Sequence, residues 1–488
     1  MANIAKMDID SITEFQREMH NPVPGDALFS PFVRKFQKTT WRCNIQSKLH
    51  CSSNEKDFIY DLGSTYHYLR HTYMRSLWPA LRVKEGFSDR IQICWPHNLG
   101  TSHIESASFV VNEDIINTFD NVWCDMYFQF FMKPNFRGSH NINVGNLEML
   151  ENWSSELPEY TTTVHQPFSF ARDDSRAFPI LLLNSQAKAY HRYTMKNKIQ
   201  DILRMRVLRQ IKNEKQEVTG QVWQEIQCNL AYIEGAGSSG QLKTPEVWGE
   251  YIYFTPEEQE VVRTGCVETA HHFVDDKLKE TGDFEYRFYM DDIVSSKATN
   301  AGKLGDVVSV DLDCETPAKF IIWVAENLTA KRYRNTSNYT TNADTLYKGW
   351  NPCTSISMYY GGQPRIQNMD IDHFDRMTPW YKTLSPADEP GYNIHCIADN
   401  AVSLDSDIGL AFHNLRAKLN VHLNDTNPSL KPVKTEEKDK QPYIEELEDS
   451  KVRSSNTDAY NVHVRMMVVK KLAFRWNAQK KDFIVVTH

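Results

Sequence analysis

What most constrains this chain is a succession of short apolar runs, each only long enough for a strand, divided into two series by a single well-signalled helix. FIYDLG (58–63), RIQIC (90–94), SFVV (108–111) and PILLL (179–183) are rich in β-branched and aromatic residues and are bounded by turn formers. That is the pattern of strands. VWGEYIYF (247–254) closes the first series. FEYRFYM (284–290), VVSVDLD (307–313), KFIIWVAEN (319–327), SISMYYGG (355–362), GLAFHNLRAKLNVHL (409–423) and VHVRMMVVKKLAFRW (462–476) form the second. Between the two, Thr255 is an N-cap, Pro256 takes the first helical position and Glu258 completes a capping box. Val262, Cys266, Ala270, Phe273 and Leu278 then recur at helical spacing, and Gly282 stops the helix. Such a chain folds as two antiparallel β units joined by one helix.

The remaining segments are read around that frame. Residues 1–25 are polar, with a helical stretch from Ile4 to Met19 that NPVPG (21–25) breaks, and they read as an arm. Asp114–Met132 reads as a turn followed by a short aromatic helix near Trp123–Phe131, and 133–166 as a long loop. The basic stretch KNKIQDILRMRVLRQIKNEK (196–215) fits helix or strand, and a Gly/Ser-rich turn follows it. Asn335–Leu346 reads as a polar loop, and 424–458 as a polar insertion of alternating acids and bases. The two halves share a rhythm: a strand (176–193; 409–423), a long polar insertion (196–246; 424–458) and a final strand (247–254; 462–476). Two antiparallel sandwiches of about eight strands each fit it.

Composition removes several function classes. Of 488 residues, 41% are hydrophobic and 24% charged, values of an ordinary globular chain. No apolar run approaches the roughly 18 residues of a membrane span. The net charge of −8 gives no overall basic field for nucleic acid. Nine scattered cysteines without a CxxC pair read as reduced, mostly core thiols of a cytosolic protein. The N-terminus, MANIAKMDIDSITEF, carries acids where a signal peptide needs an apolar stretch. The sequons at Asn152, Asn327, Asn335, Asn338 and Asn424 therefore read as unglycosylated surface-loop asparagines.

No motif assigns a catalytic, cofactor-binding or metal-ligating residue. Gly235–Gly240 matches GxGxxG, but a strand follows where a dinucleotide site needs a helix, so it reads as a flexible loop. Asp370, Asp372, His373 and Asp375 form an acidic cluster that lacks the Gly and distal Glu of a calcium loop, and it reads as a solvated face. His271 and His272 are adjacent on the linker helix and share no face. His67 and His71 stand four apart in a strand-like stretch, too far for simple chelation. The HxH of a two-domain cupin is absent, as are GxSxG, HExxH and a Walker loop; His413 and His422 do not replace them. Exposed aromatics in Asn338–Tyr347 and Trp350 are the candidates for a glycan or receptor contact.

The order of segments resembles the double jelly-roll major capsid proteins of nucleocytoplasmic large DNA viruses. LFSPFVRKFQKTTWRC (28–43) resembles the family's opening strand, although the Pro-Gln before it is missing. LGSTYHYLRHTYMRSLWPAL (62–81) resembles the segment ending in an apolar-Pro-Ala-Leu turn. In 97–131, Gly100, Ile104, Ile115 and Trp123 fall where the pattern expects them, while Asn112-Glu113 replaces its Gly pair. HQPFSFARDDSRAFPILLL (165–183) resembles a Pro/Phe-rich strand pair, and VWGEYIYFTPEEQEVV (247–262) the strand-to-helix linker. KFIIWVAEN, SDIGLAFHNLRAKLNVHL (406–423) and YNVHVRMMVVKKLAF (460–474) resemble core and closing strands of the second unit.

The resemblance implies an all-β fold of two tandem antiparallel eight-stranded jelly rolls: an arm at 1–26, a first roll at 27–254, a linker helix at 255–282 and a second roll at 283–488. It implies a non-enzymatic structural protein of the virion whose homotrimers make pseudo-hexagonal capsomers tiling an icosahedral shell, with no cofactor. The partners implied are the chain itself, neighbouring capsomers, minor capsid and penton proteins, and inner membrane-associated proteins beneath the arm; direct nucleic-acid binding is not expected. It also implies that the connections before the last strand and between the fourth and fifth strands emerge at the same, outward end, so that 133–164, 196–246 and 424–458 crown it. The alternatives are a minor double jelly-roll virion component and a glycan- or receptor-binding β-sandwich protein.

Overall fold

The structure, a computed structural model, describes residues 43–54, 57–63, 66–171, 177–183, 188–212, 218–237, 239–256, 259, 284–402, 409–413, 415–424, 459–477 and 482–487. The arm, the strand expected at 28–42, the linker helix beyond its first turn and 425–458 lie outside the described residues. The linker's start is visible: the Gln259 backbone N–H donates to the Thr255 carbonyl at 2.9 Å, the first bond of the helix expected there.

Sixteen strands build two sandwiches of the same connectivity. In the first these are β1 (Cys43–Lys48), β2 (Asp57–Asp61), β3 (Tyr68–Trp78), β4 (Ile104–Val111), β5 (Asp114–Phe119), β6 (Tyr160–His165), β7 (Ala189–Met195) and β8 (Glu246–Tyr253). They pair antiparallel in the orders β1-β8-β3-β6 and β2-β7-β4-β5, with a short strand, His50–Asn54, added beside β2. The second uses β9 (Phe284–Lys297), β10 (Val307–Leu312), β11 (Ala318–Asn327), β12 (Cys353–Tyr360), β13 (Gln363–Asp370), β14 (Tyr392–Cys396), β15 (Ala417–Leu423) and β16 (Ala459–Asn477). Their orders, β9-β16-β11-β14 and β10-β15-β12-β13, repeat the first set strand for strand. Each unit is a jelly roll, so the chain is a double jelly roll.

Antiparallel pairing throughout makes odd and even strands run opposite ways. The short crossings at 62–67 and 313–317 cannot span a sandwich, so they fix which ends of the two sheets coincide. All odd-to-even connections therefore leave one end: 79–103, 120–159 and 196–245 in the first roll, 328–352, 371–391 and 424–458 in the second. The fourth-to-fifth connections lie at the opposite end and are two-residue turns, which corrects the expected placement. Residues 133–164 belong to the fifth-to-sixth connection and to β6, and that parity is what brings them to the end shared with 196–245. The tight turns need positive φ at both central positions. Asn112 and Glu113 (φ 50° and 76°) supply it in the first roll, Gly361 and Gly362 (φ 56° and 80°) in the second.

Several local expectations are overturned. Asp114–Phe119 is a strand rather than a turn, because Ile116 and Phe119 face the core. The aromatic helix after it is real, α1 (Asn121–Phe131). The supposed loop 133–166 contains α2 (Arg137–Val144), a short helix at Glu148–Glu151 and strand β6. PILLL is a 3-10 turn (Ile180–Leu182), and the strand pair expected in 165–183 reduces to one bridge, Leu69 to Phe178. In 409–423 only Ala417–Leu423 is a strand. The ambiguous basic stretch is a hairpin, Arg204–Lys212 with Val218–Ile226, that extends the short strand Ile91–Cys94. Trp78, Ile93, Trp95, Leu99, Leu150 and Leu203 pack into a core of their own there, so the first roll's connections fold as a cap. Asn327, Asn335 and Asn338 are buried, not surface-loop residues; Asn327 caps the short helix Leu328–Arg332 by accepting the Thr329 and Ala330 N–H groups.

Candidate functional site: the seam between the rolls

The seam begins with β11. Its run KFIIWVAEN does not alternate in polarity, and every residue of the strand is buried. Ile321, Trp323 and Ala325 face the second roll's own core, while Phe320, Ile322 and Val324 join the first roll's core across the seam. A strand apolar on both faces must be covered on both. The cover is the edge strand β5 with α1. Asp120 caps α1 by accepting the Trp123 N–H at 2.9 Å, and its other oxygen takes the guanidinium of Arg465 on β16. Asn117 donates to Asp292 at 2.8 Å, and Phe131 meets Phe320 with ring centroids 5.1 Å apart.

Farther along, the connections of both rolls interlock through polar groups. Arg137 donates to Ser385 Oγ at 2.5 Å and to the Pro386 carbonyl at 2.7 Å, and it pairs with Asp388. The Asp388 N–H donates to Gln129 at 3.0 Å. His97 lies between two carboxylates, Nδ1 at 2.7 Å from Glu151 and Nε2 at 2.8 Å from Glu389 of the second roll. Burial alone would push the His97 imidazole down, but Glu389 and Glu151 outweigh it and hold it well above its ordinary value. Burial raises Glu389 in turn, yet His97 brings its carboxyl below the usual range. The pair is an imidazolium carboxylate bridge out of water, strong because both ends are satisfied.

Asp125 on α1 accepts from Asn98 Nδ2 at 2.8 Å and from the Tyr339 hydroxyl at 2.8 Å. Burial pushes its carboxyl up to about 7 against the lowering effect of the Tyr339 hydrogen bond. Tyr339 sits in the polar stretch Asn335–Leu346, which is buried from Asn335 to Thr341 rather than solvated. Its own amides replace water there: Asn338 accepts from Thr340 N and Oγ1 and donates to the Asn342 carbonyl, and Asn342 accepts from Asp344 N and Thr345 N. Gly391 allows the close approach, with φ 103° and a would-be Cβ 2.3 Å from the Tyr339 carbonyl oxygen.

The motifs weighed from sequence fall elsewhere. Gly235 packs against the backbone of Ala80, where a Cβ would stand 2.2 Å from its carbonyl oxygen, and the chain enters a strand afterwards. In the acidic cluster, Arg376 lies 3.8 Å from Asp372 and 3.7 Å from Asp375. Among the described residues no group of three or more His, Cys, Asp or Glu side chains is placed to hold a metal ion. His67 Nδ1 accepts the Phe254 N–H at 2.7 Å, and the His71 ring lies edge-on to His165. His413 pairs with Asp313, and His422 lies on β15; His271 and His272 lie outside the described residues. Cys51, Cys94, Cys124, Cys228, Cys314, Cys353 and Cys396 are free thiols. Among the described residues no helix is long and apolar enough to cross a membrane. Tyr347 and Trp350 are 72% and 56% exposed, while Asn338 and Tyr339 are buried. Sequence reasoning missed the contacts of His97 with Glu389, Asp125 with Tyr339 and Arg137 with Ser385, because no spacing links residues 214 to 292 positions apart.

Two sandwiches of one connectivity, fused by a buried seam, define a double jelly-roll protein. Residues 30–255 match the family model described as "Major capsid protein N-terminus". The chain is 22% identical over 408 residues to the major capsid protein of Lymphocystis disease virus 1, covering 78% of this chain and 79% of that one. It is 20% identical over 422 residues to that of Invertebrate iridescent virus 3, covering 82% and 84%. In fold it is similar to the protein of the PBCV-1 virus capsid (TM-score 0.56, 12% identity, 90% and 97% covered) and to the Faustovirus major capsid protein (TM-score 0.58, 8% identity, 89% and 91% covered). The chain is thus a homologue of the double jelly-roll major capsid proteins of large DNA viruses.

Proposed function

We propose that this chain is a structural subunit of a viral capsid shell, located in the virion, and that three copies associate into a pseudo-hexagonal capsomer that tiles an icosahedral particle with its neighbours. The observation that carries this reading is the strand-for-strand repetition of one jelly roll within one chain, locked side by side. Three such chains present six near-equivalent sandwiches around an axis, so a threefold particle acquires a sixfold outline. The rigidity of the seam supports it: a shell tile must keep its angle under load, and a seam of buried aromatic and ionic contacts resists hinge motion. The work proposed is assembly, not catalysis. The end bearing the long connections would face outward, and the arm at 1–26 inward, toward minor capsid, penton and membrane-associated proteins. Tyr347 and Trp350 lie in a connection at the outward end, which favours a receptor or glycan contact there as an added role of the same subunit.

Native mass tests the assembly. The chain alone weighs 56.7 kDa; light scattering should find three times that, and imaging should show hexagonal outlines. A chain that stays single at every concentration contradicts the reading. Limited proteolysis of assembled particles tests the orientation, with cleavage expected in 424–458; protection there with cutting at the opposite end refutes it.

A further inference from the structure

We infer that the first roll carries a binding pocket for a small organic monoanion, whose acidic group meets Lys196 and whose apolar body lies against Phe58, Trp78 and Met195. The pocket opens at the end of the roll that bears the long connections, between the ends of β3 and β7 and the segment that leads into β8. It encloses about 390 Å³ of empty space, its open mouth included, a size within the usual range of small-molecule sites. The inference stands apart from the assembly reading, because one roll of one chain builds the whole pocket.

Its walls are held in place before any ligand arrives. The Lys196 backbone N–H donates to the His103 carbonyl at 2.8 Å, and the Leu242 N–H to the Asn197 carbonyl at 2.7 Å. The Tyr60 hydroxyl donates to the Pro245 carbonyl at 2.7 Å, which ties the third wall down. Phe58, Trp78 and Met195 are buried. Trp78 is fixed by its Nε1–H, which donates to Thr162 Oγ1 at 2.9 Å, and by an edge-on contact with the His103 ring. Gln241, Lys243 and Thr244 are exposed, so the mouth reaches solvent. A preformed apolar cleft with a few polar groups is the general form of a small-ligand site, and preorganisation lowers the cost of binding.

Charge selects the ligand. Lys196 and Lys243 line the pocket, and no Asp or Glu does. Among the described residues, the half-buried Lys196 has one side-chain partner, the Ser102 carbonyl at 3.2 Å from Nζ, and no carboxylate. Burial pushes its ammonium down; Glu105 opposes that, while Arg334 and Lys331 add to it. A cation set into a wall without a counter-ion is what a bound anion completes. Burial also holds His103 down to about 4. At neutral pH it therefore lines the wall as an uncharged ring, with Nε2 3.3 Å from Ser76 Oγ. The apolar walls disfavour a bare, strongly hydrated inorganic ion, so the charge must arrive on an apolar body. Once occupied, the pocket ties together three segments at that end of the roll and stabilises the fold by mass action.

Isothermal titration of the full chain with acetate, butyrate, hexanoate and 1-hexanol tests this. Hexanoate should bind once per chain, and affinity should rise from acetate to hexanoate by up to about fourfold per methylene. 1-Hexanol keeps the body but lacks the charge, and should bind at least about tenfold more weakly than hexanoate. Lys196→Met keeps the aliphatic stem and should weaken hexanoate at least about tenfold. Lys243→Glu, at an exposed position, should weaken it about threefold. Hexanoate should raise the unfolding temperature of the wild type and leave that of Lys196→Met unchanged. No binding heat from hexanoate on the wild type, equal affinity for hexanoate and 1-hexanol, or an unchanged hexanoate affinity in folded Lys196→Met would each overturn the site. If Lys196→Met fails to fold, the wild-type comparison of hexanoate with 1-hexanol, together with Lys243→Glu, decides it.

Discussion

Asp120 does two jobs at the seam, and separating them gives a quantitative test. It caps α1 through the Trp123 N–H, and it neutralises Arg465, whose side chain is only 4% exposed. Asparagine is as good an N-cap as aspartate, so Asp120→Asn keeps the cap and removes only the charge. The buried guanidinium then keeps its bond to the Val464 carbonyl but has lost its counter-ion. Breaking one side of a buried pair costs about 3–5 kcal/mol; with Asp120 29% exposed, the lower end, about 3 kcal/mol, applies. Asp120→Ala loses the cap as well and should cost about 1 kcal/mol more. Adding Arg465→Met to Asp120→Asn removes the stranded charge while keeping the apolar volume, and should restore most of the loss. Urea unfolding followed by tryptophan fluorescence reads all three steps, and Arg465→Met alone completes a double-mutant cycle with wild type, Asp120→Asn and the double variant. If the double variant is no more stable than Asp120→Asn alone, or if Asp120→Asn is within about 0.5 kcal/mol of wild type, the seam is not held as described.

Three further outcomes follow from the same geometry. Asp125 is raised to about 7 by burial, so the unfolded chain releases this proton first. Stability from this group is present below pH 4, declines as pH rises toward 7 at up to about 1.4 kcal/mol per unit, and is constant above. Asp125→Asn should flatten that decline in thermal melts, since the Tyr339 hydroxyl can turn to accept; an unchanged slope would show that Asp125 is ionised in the fold. His103, His140 and His395 are lowered to about 4, and His165 and His191 to about 3, all by burial first. The unfolded chain takes these protons first, so stability should fall as pH drops from 6.5 toward 4, and His191→Gln should reduce the fall measured by melting between pH 7 and 5. Gly391→Ala places a methyl against the Tyr339 carbonyl at a positive φ, and should cost about 2 kcal/mol or more; a wild-type melting temperature would refute the close approach.

How much of this was legible before the fold differed by element. KFIIWVAEN declared a strand, but that both of its faces are buried, the second under another roll, came only from the structure. Trp123–Phe131 declared a helix. Asp114–Phe119 misled, since its turn-forming start hides a strand whose hairpin Asn112 and Glu113 close in the left-handed region. PILLL misled the other way: an apolar run of that length is equally a buried 3-10 turn, and only packing decides. Asn335–Leu346 was read as solvated because its composition is polar; it is buried from Asn335 to Thr341 because its amides bond one another and its Tyr339 reaches Asp125.

The sequence by itself determined the number of β units and the strand character of core runs such as FIYDLG, SFVV, VWGEYIYF and KFIIWVAEN, since those depend on local periodicity and turn chemistry. Tertiary structure alone decided which end carries the long connections, which polar groups go underground and which faces are left open. Those are consequences of strand parity and of contacts between residues hundreds of positions apart, and a side chain's neighbours along the chain hold no record of them.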